Sequence, residues 1–487
     1  MTFVTLAVPR LRHLDWTGVL PVGAVLIAAT HLLVERYRWQ MVPAYAVTAV
    51  LVLVWLVQRA GPVRPVSGMV VAGAVALGVI GLVLSTALPV VVPSFRFPEP
   101  SGPHRIGTLT YHWHDETRAE VLTSAPGDHR EVMVQVWYPA SPDPEAPRAP
   151  YMREQGALAN WLAWLLRLRI PQWLSRPLDS VITNAVAAAP LAATDPTYPV
   201  LLFMQGLSGF RQMNTFQVEE LVSHGYVVAA IDQPYAAAAM SFPDGRQVLG
   251  LGKRVMWPLI QQSLEPSTPP PELNGRPLPE GIIPYLARDA VFVLDRLADL
   301  NEADPNGVLT GALDLSRAGV FGVSLGGITA PEACHLDPRF RACMAMEAPI
   351  PAEVVTAGLE QPTLLLIGDV ETMRAAGWAE EGITQHHTNM RSLYENLGGS
   401  GYYVVTNGMY HLNLTDAPLL LRAPFTALGL LGPIDVERAH GIVNAYTVAF
   451  FDKHLRGLPA PPLDAGTRPY REIDVEARPE SRGWGPD

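Results

Sequence analysis

The sequence predicts an α/β fold: a mostly parallel central sheet flanked by helices, preceded by an N-terminal bundle of about three transmembrane helices. Its first hundred residues hold long charge-free stretches. Beyond them, short wholly apolar runs such as Val200–Met204 and Val227–Ile231 alternate with helical patterns. Runs of that kind are buried on both faces of a parallel sheet. A further apolar run, Ala318 to Phe321, leads into Gly322-Val323-Ser324-Leu325-Gly326-Gly327 and a small-residue helical start. Strand, Gly-x-Ser-x-Gly, helix is the setting of a nucleophile elbow.

Composition sets the outer limits. The chain has 487 residues, enough for about two to four domains. Apolar residues make up 49% and charged residues 17%, and the apolar excess is concentrated at the N-terminal end. With a formal net charge of −11 and no basic tract, nucleic acid is not an expected partner. Two cysteines, Cys334 and Cys343, exclude a disulfide framework and a cysteine-rich metal site. They read as buried small hydrophobes.

Residues 1–95 form the expected membrane region. Trp16–Val34, Trp39–Gln58 and Pro65–Phe95 carry no charge. A helix needs about 20 residues to cross a hydrocarbon core, so spans are expected over about 16–34, 39–58 and 67–92. The third is rich in Gly, Ala and Val, as helices that pack closely in lipid are. A cleaved signal peptide fits less well, because nothing basic precedes Arg10 and further stretches follow. Arg10, Arg12, Arg59 and Arg64 flank one side; Arg36, Arg38, Arg96 and Arg105 flank the other. The positive-inside rule therefore leaves orientation balanced. The expectation is a multi-pass protein of the cell membrane with its large domain outside the cytoplasm.

Pro98, Pro100 and Pro103 mark a linker over 96–104, and a domain over 105–458 follows. "IGTLTYHWHDE" and "REVMVQVWYPA" read as two strands. His112, His114 and Asp115 are ligand types, and His-x-His puts both rings on one strand face. No third or fourth partner is evident, so an exposed strand face is the favoured reading. Residues 151–192 form a lid-like segment, with Trp161, Trp164, Leu165, Leu168 and Trp173 at near-helical spacing among Arg167, Arg169 and Arg176. That pattern suits a membrane interface or a cap helix. An insertion over 243–284 holds Pro266, Pro269, Pro270, Pro271, Pro277, Pro279 and Pro284, which forbid regular structure through most of it. Tyr285–Leu300 is an amphipathic helix. After the elbow, Phe340–Met346 ends at Glu347, Thr363–Ile367 ends near Asp369 and Glu371, and Gly401–Thr406 leads to Asn407-Gly408-Met409-Tyr410-His411. Ile442–Leu455 is a closing helix, and the tail over 459–487 is expected to be loosely ordered.

A serine hydroxyl becomes a nucleophile when a base takes its proton, and a carboxylate must orient that base. In this class of site the chain order is Ser, acid, His, each at the C-terminal end of a strand. Ser324 is the nucleophile candidate. His411 is the base candidate, as the histidine just after a late strand; His386, His387, His440 and His454 sit in helical segments. Glu347, Asp369 and Glu371 are all strand-end acids, and topology does not choose among them. The oxyanion donors are the backbone amides of Leu325, after the serine, and Leu207, in the Gln205–Gly209 loop.

From about Glu131 to Leu458 the chain resembles the platelet-activating factor acetylhydrolase family, of the lipoprotein-associated phospholipase A2 type. The resemblance rests on "LLFMQGLSGFR", "LVSHGYVVAAID", "GVSLGG", "LDPRFRACMAMEA", "NGMYHLNLTD" and "AFFDKHLRGL". It implies an α/β-hydrolase fold, no metal or other cofactor, and cleavage of short or oxidised acyl esters of phospholipids. It places the nucleophile on Ser324, the base on His411, the oxyanion amides on Leu207 and Leu325, and the acid on Glu347, with Asp369 as alternative. Three positions depart from the family pattern: Glu347 stands for the usual Asp, Gln205 for the usual His before Gly206, and Val323 for the usual His before the serine. These departures bear on substrate preference. The expected function is a membrane-anchored serine esterase acting through an acyl-enzyme on a lipid or other apolar ester. The alternatives are a polyester hydrolase or broad carboxylesterase and, in another class, a catalytically inactive membrane-tethered binding protein.

Overall fold

The computed structural model describes residues 19–34, 39–60, 68–91, 97–125, 127–152, 181–464 and 469–478. Contacts divide the chain into two units: residues 1–94 with Leu420–Pro424, and residues 95–419 with 425–487.

In the first unit lie helices α1 (Val19–Val34), α2 (Val42–Ala60) and α3 (Gly68–Val91). The Tyr45 hydroxyl lies 2.9 Å from His31 Nδ1 and joins α2 to α1. Among the described residues no helix is long and apolar enough to cross a membrane. This corrects the expected three spans, the cell-membrane location and the membrane as a partner. The 16 residues of α1 fall short of the roughly 20 a crossing needs. Helix α2 takes in Pro43 and ends in Gln58-Arg59-Ala60. Helix α3 carries Gly78, Gly81, Ser85 and Thr86 along its length.

The second unit is built on one sheet. Its strands are β1 (Arg105–Ala119), β2 (His129–Ala140), β3 (Arg148–Pro150), β4 (Ile182–Ala187), β5 (Tyr198–Met204), β6 (Val227–Asp232), β11 (Leu313–Val323), β12 (Phe340–Met346), β13 (Thr363–Gly368), β14 (Gly401–Thr406) and β15 (Ile473–Arg478). The spatial order is β15-β14-β13-β12-β11-β5-β6-β2-β1-β4-β3. From β6 to β14 every neighbouring pair is parallel. Strands β2 and β15 close this parallel block with antiparallel pairings. Strands β5, β6 and β13 are buried at every residue, which is why they read as unbroken apolar runs. Cys334 and Cys343 are free and buried in the same core.

Helices α4 (Thr215–Ser223), α6 (Ile283–Glu302), α7 (Leu325–Leu336), α10 (Glu380–Glu395) and α12 (Val436–Arg456) accompany the sheet, with shorter α8 (Ala352–Ala357) and α9 (Val370–Ala375), while the residues of α11 (Ala417–Ala427) fall in both units. The segment 243–284 is more regular than its prolines suggest. The hairpin of β7 (Ala239–Ser241) and β8 (Gln247–Leu249) ends inside it, and helix α5 (Lys253–Leu264) follows. This helix lies ahead of Pro266 and buries Met256, Leu259, Ile260 and Leu264 along one face. A two-residue pairing of β9 (Glu272–Leu273) with β10 (Arg276–Pro277) completes the insertion. The tail also differs: Ile473–Arg478 is not loose but pairs with Gly401–Thr406. Of the lid-like segment, residues 153–180 lie outside the described residues, and 182–187 belong to the sheet as β4.

Candidate active site

Strand β11 delivers Ser324 to the top of the sheet, and α7 leaves immediately behind it. The serine backbone has φ 57° and ψ −121°, a conformation L side chains rarely adopt. Its amide donates to the Met346 carbonyl at 2.9 Å, and its carbonyl accepts from Ile328 at 3.0 Å. The hydroxyl makes no capping bond to the helix, so it is not spent on structure. A Cβ on Gly322 would collide with the Gly326 carbonyl group, and one on Gly326 with the Met204 carbonyl. Both positions therefore need glycine.

The loop after β5 forms the wall beside the serine. A Cβ built on Gly206 would stand 3.3 Å from Ser324 Cβ. Leu207 packs in one apolar cluster with Leu325, Ile328 and Ala348. Ser208, at φ 60°, donates its amide to the Ala236 carbonyl at 2.8 Å. Buried Arg211 pairs with Asp232 at the end of β6 and fixes the far side of the loop. Gln205 is fully buried, and neither polar atom of its side-chain amide finds a partner among the described residues.

Glu347 follows β12 at φ 47° and is 2% exposed. Its Oε2 lies 3.5 Å from His411 Nδ1, and its Oε1 accepts from the Gly368 amide. Asp369, one strand over, is occupied otherwise. It is the N-cap of α9 and accepts from the amides of Glu371 at 2.9 Å and Thr372 at 3.1 Å, and from the Thr372 hydroxyl. Glu371 is exposed and pairs with Arg374.

His411 opens a short 3-10 turn after β14. That turn is anchored by buried polar groups. Asn413 Oδ1 accepts from the Tyr410 amide at 2.9 Å and the Gly432 amide at 2.8 Å. His440 Nε2 lies 3.0 Å from the Thr415 carbonyl. Asp416 accepts from the amides of Thr215 and Phe216 at the start of α4 and from the Tyr151 hydroxyl. Burial pushes the Asp416 carboxyl up to about 7 and neighbouring Glu219 up to about 8.

Sequence reasoning did not find what surrounds Glu347 and His411. Trp378 sets its ring edge-to-face against His411 at 5.7 Å and against His386 at 4.7 Å. Burial lowers His386 to about 4, against the opposing pull of Glu347. It is therefore a neutral imidazole, bonded through Nδ1 to the Gly382 carbonyl at 2.9 Å. Its helical setting was legible; its position beside the strand ends needed the folded chain. Among the described residues, the group of side chains close enough to hold a metal ion lies on other strands.

The site is thus a serine on a strained strand-to-helix turn, a glycine loop at its side, and a buried carboxylate facing a histidine. On this sheet, that is the layout of an α/β-hydrolase-like protein. Residues 90–247 and 300–458 match the family described as platelet-activating factor acetylhydrolase, isoform II, and the chain belongs to that family. It is 26% identical over 269 residues to the platelet-activating factor acetylhydrolase of Cavia porcellus, covering 54% of this chain and 58% of that one. Against the protein of the same name from Gallus gallus the identity is 21% over 389 residues, covering 74% and 84%. A solved structure, the ferulic acid esterase from Streptomyces cinnamoneus, superposes with a TM-score of 0.61 at 27% identity, covering 78% of this chain and 99% of that one.

Proposed function

We propose that the protein is a serine carboxylic-ester hydrolase working through an acyl-enzyme. Ser324 Oγ attacks the ester carbonyl carbon while His411 Nε2 takes its proton. Glu347 orients His411 through Nδ1 and stabilises the imidazolium. The amides of Leu207 and Leu325 hold the oxyanion, each worth about 3–4 kcal/mol of transition-state stabilisation. His411 then gives the proton to the leaving alcohol, and water hydrolyses the acyl-enzyme by the same route reversed. The observation that carries this reading is the pairing of buried Glu347 with His411 at 3.5 Å while Asp369 is spent as a helix cap. Family membership supports short-chain or oxidised phospholipid-like esters as substrates.

A fluorophosphonate probe tests the reading directly. Wild type should label and Ser324→Ala should not; equal labelling, or none in either, removes it. A second substrate reading, a broad carboxylesterase, is favoured by the likeness to the ferulic acid esterase across nearly that whole chain. An acetyl phospholipid set against a feruloyl ester under one protocol separates the two.

A further inference from the structure

The β1–β2 ribbon carries a second cluster of chemistry. Cross-strand register pairs His114 directly with Glu131, and His112 lies two residues along on the same face. Glu131 is thus the third partner that the linear sequence hides. The two imidazole rings lie 4.4 Å apart. His112 Nε2 is 2.9 Å and His114 Nδ1 3.7 Å from the same carboxylate oxygen, Glu131 Oε2. One ligand atom from each residue fits within a span of 4.8 Å. Four-coordinate zinc with bonds of about 2.1 Å has ligand atoms about 3.4 Å apart, and the two measured separations straddle that value. Asp115 does not join: it turns away to Arg118 and Thr117.

The cluster also has a competitor. Arg246, in the turn of the β7–β8 hairpin, forks onto Glu131, with Nη1 2.7 Å from Oε1 and Nη2 2.9 Å from Oε2. Asp244 holds the same guanidinium at 2.6 Å, and Phe242 packs on the His112 ring at 4.8 Å. A cation at Oε2 displaces Nη2 and leaves Nη1 on Oε1. The carboxylate is then bound to metal by one oxygen and hydrogen-bonded by the other, a common arrangement for a ligating carboxylate. His114 is half exposed and leaves an entry path from solvent.

We propose that His112, His114 and Glu131 form a binding site for a divalent transition-metal ion of the zinc class, with a fourth position open to water. Two imidazoles and one carboxylate are a ligand set that zinc accepts, and Arg246 sets its affinity by competing for Glu131. The site is independent of Ser324 chemistry.

The test uses the full chain, stripped of metal and titrated with Zn2+ and, separately, Co2+. Wild type should take up one Zn2+ per chain in competition with a colorimetric chelator, and Co2+ should give the visible bands of a four-coordinate site. His114→Gln, at a half-exposed position, and His112→Gln should each abolish the Co2+ bands. Arg246→Ala should tighten Zn2+ binding by about 10-fold, the scale on which groups bonded to a ligand act. Circular dichroism confirms that each variant is folded. No Zn2+ uptake by wild type, or uptake unchanged in the folded His112→Gln/His114→Gln double variant, overturns the proposal.

Discussion

The ends of β12 and β13 lie next to each other in the sheet, and each is followed by a carboxylate. They are used in opposite ways. Glu347 leaves β12 in a left-handed backbone conformation, and its longer stem carries the carboxylate to His411 and the Gly368 amide. Asp369 leaves β13 extended and turns back on its own chain as the cap of α9. The lesson concerns local competition. An acid at a strand end is free to face a catalytic base only if no helix start claims it, and an Asp two and three residues before free amides is claimed at once.

Glu347→Gln should lower kcat by about 10⁴-fold, the scale of a lost triad carboxylate, measured on a nitrophenyl ester, while Asp369→Asn stays near wild type. The reverse pattern would assign the acid to β13.

Next comes a pH effect at the β12 end. Folding lowers His386 from its usual 6.5 to about 4, so the unfolded chain binds the extra proton between those values. Its stabilisation is complete above pH about 6.5 and is lost as pH falls toward about 4, a loss of no more than about 3.5 kcal/mol. Thermal melts over that range should flatten in His386→Asn once the change in overall stability is subtracted. Third, a Cβ on Gly368 would stand 2.8 Å from Glu347 Oε1. Gly368→Ala should displace the carboxylate from His411 and cost about 10²-fold in rate, with substrate binding little changed.

The last two effects fall on the β13 side. Asp369→Ala removes a cap and should lower unfolding free energy by about 1 kcal/mol with kcat retained. Glu371→Gln should shift stability by no more than about 0.5 kcal/mol, since its carboxylate is exposed and paired at the surface with Arg374. Denaturant titration measures both.

The parallel block, the elbow and the late histidine were legible because each is written in contiguous residues: apolar runs, paired glycines, a strand ending one turn before His411. What favours Glu347 over Asp369 is not contiguous. It depends on which amides stand beside Asp369 and on how far Glu347 reaches across to β14. The third member of the His112–His114 cluster was hidden for a similar reason, since strand register brings Glu131 across from residue 114. The N-terminal helices were over-read. Among the described residues no helix is both long and apolar enough to cross a membrane, and absence of charge alone does not supply that.

Ser208, Ser324 and Glu347 share one property, a positive φ without being glycine. Each such residue costs of order 1–3 kcal/mol, which the surrounding fold must offset. In directed evolution for heat resistance, glycine or asparagine at these codons should therefore recur among the survivors. Selection on thermal tolerance alone would drift toward a sturdier scaffold with a silent centre, so a library screen needs turnover as its second gate.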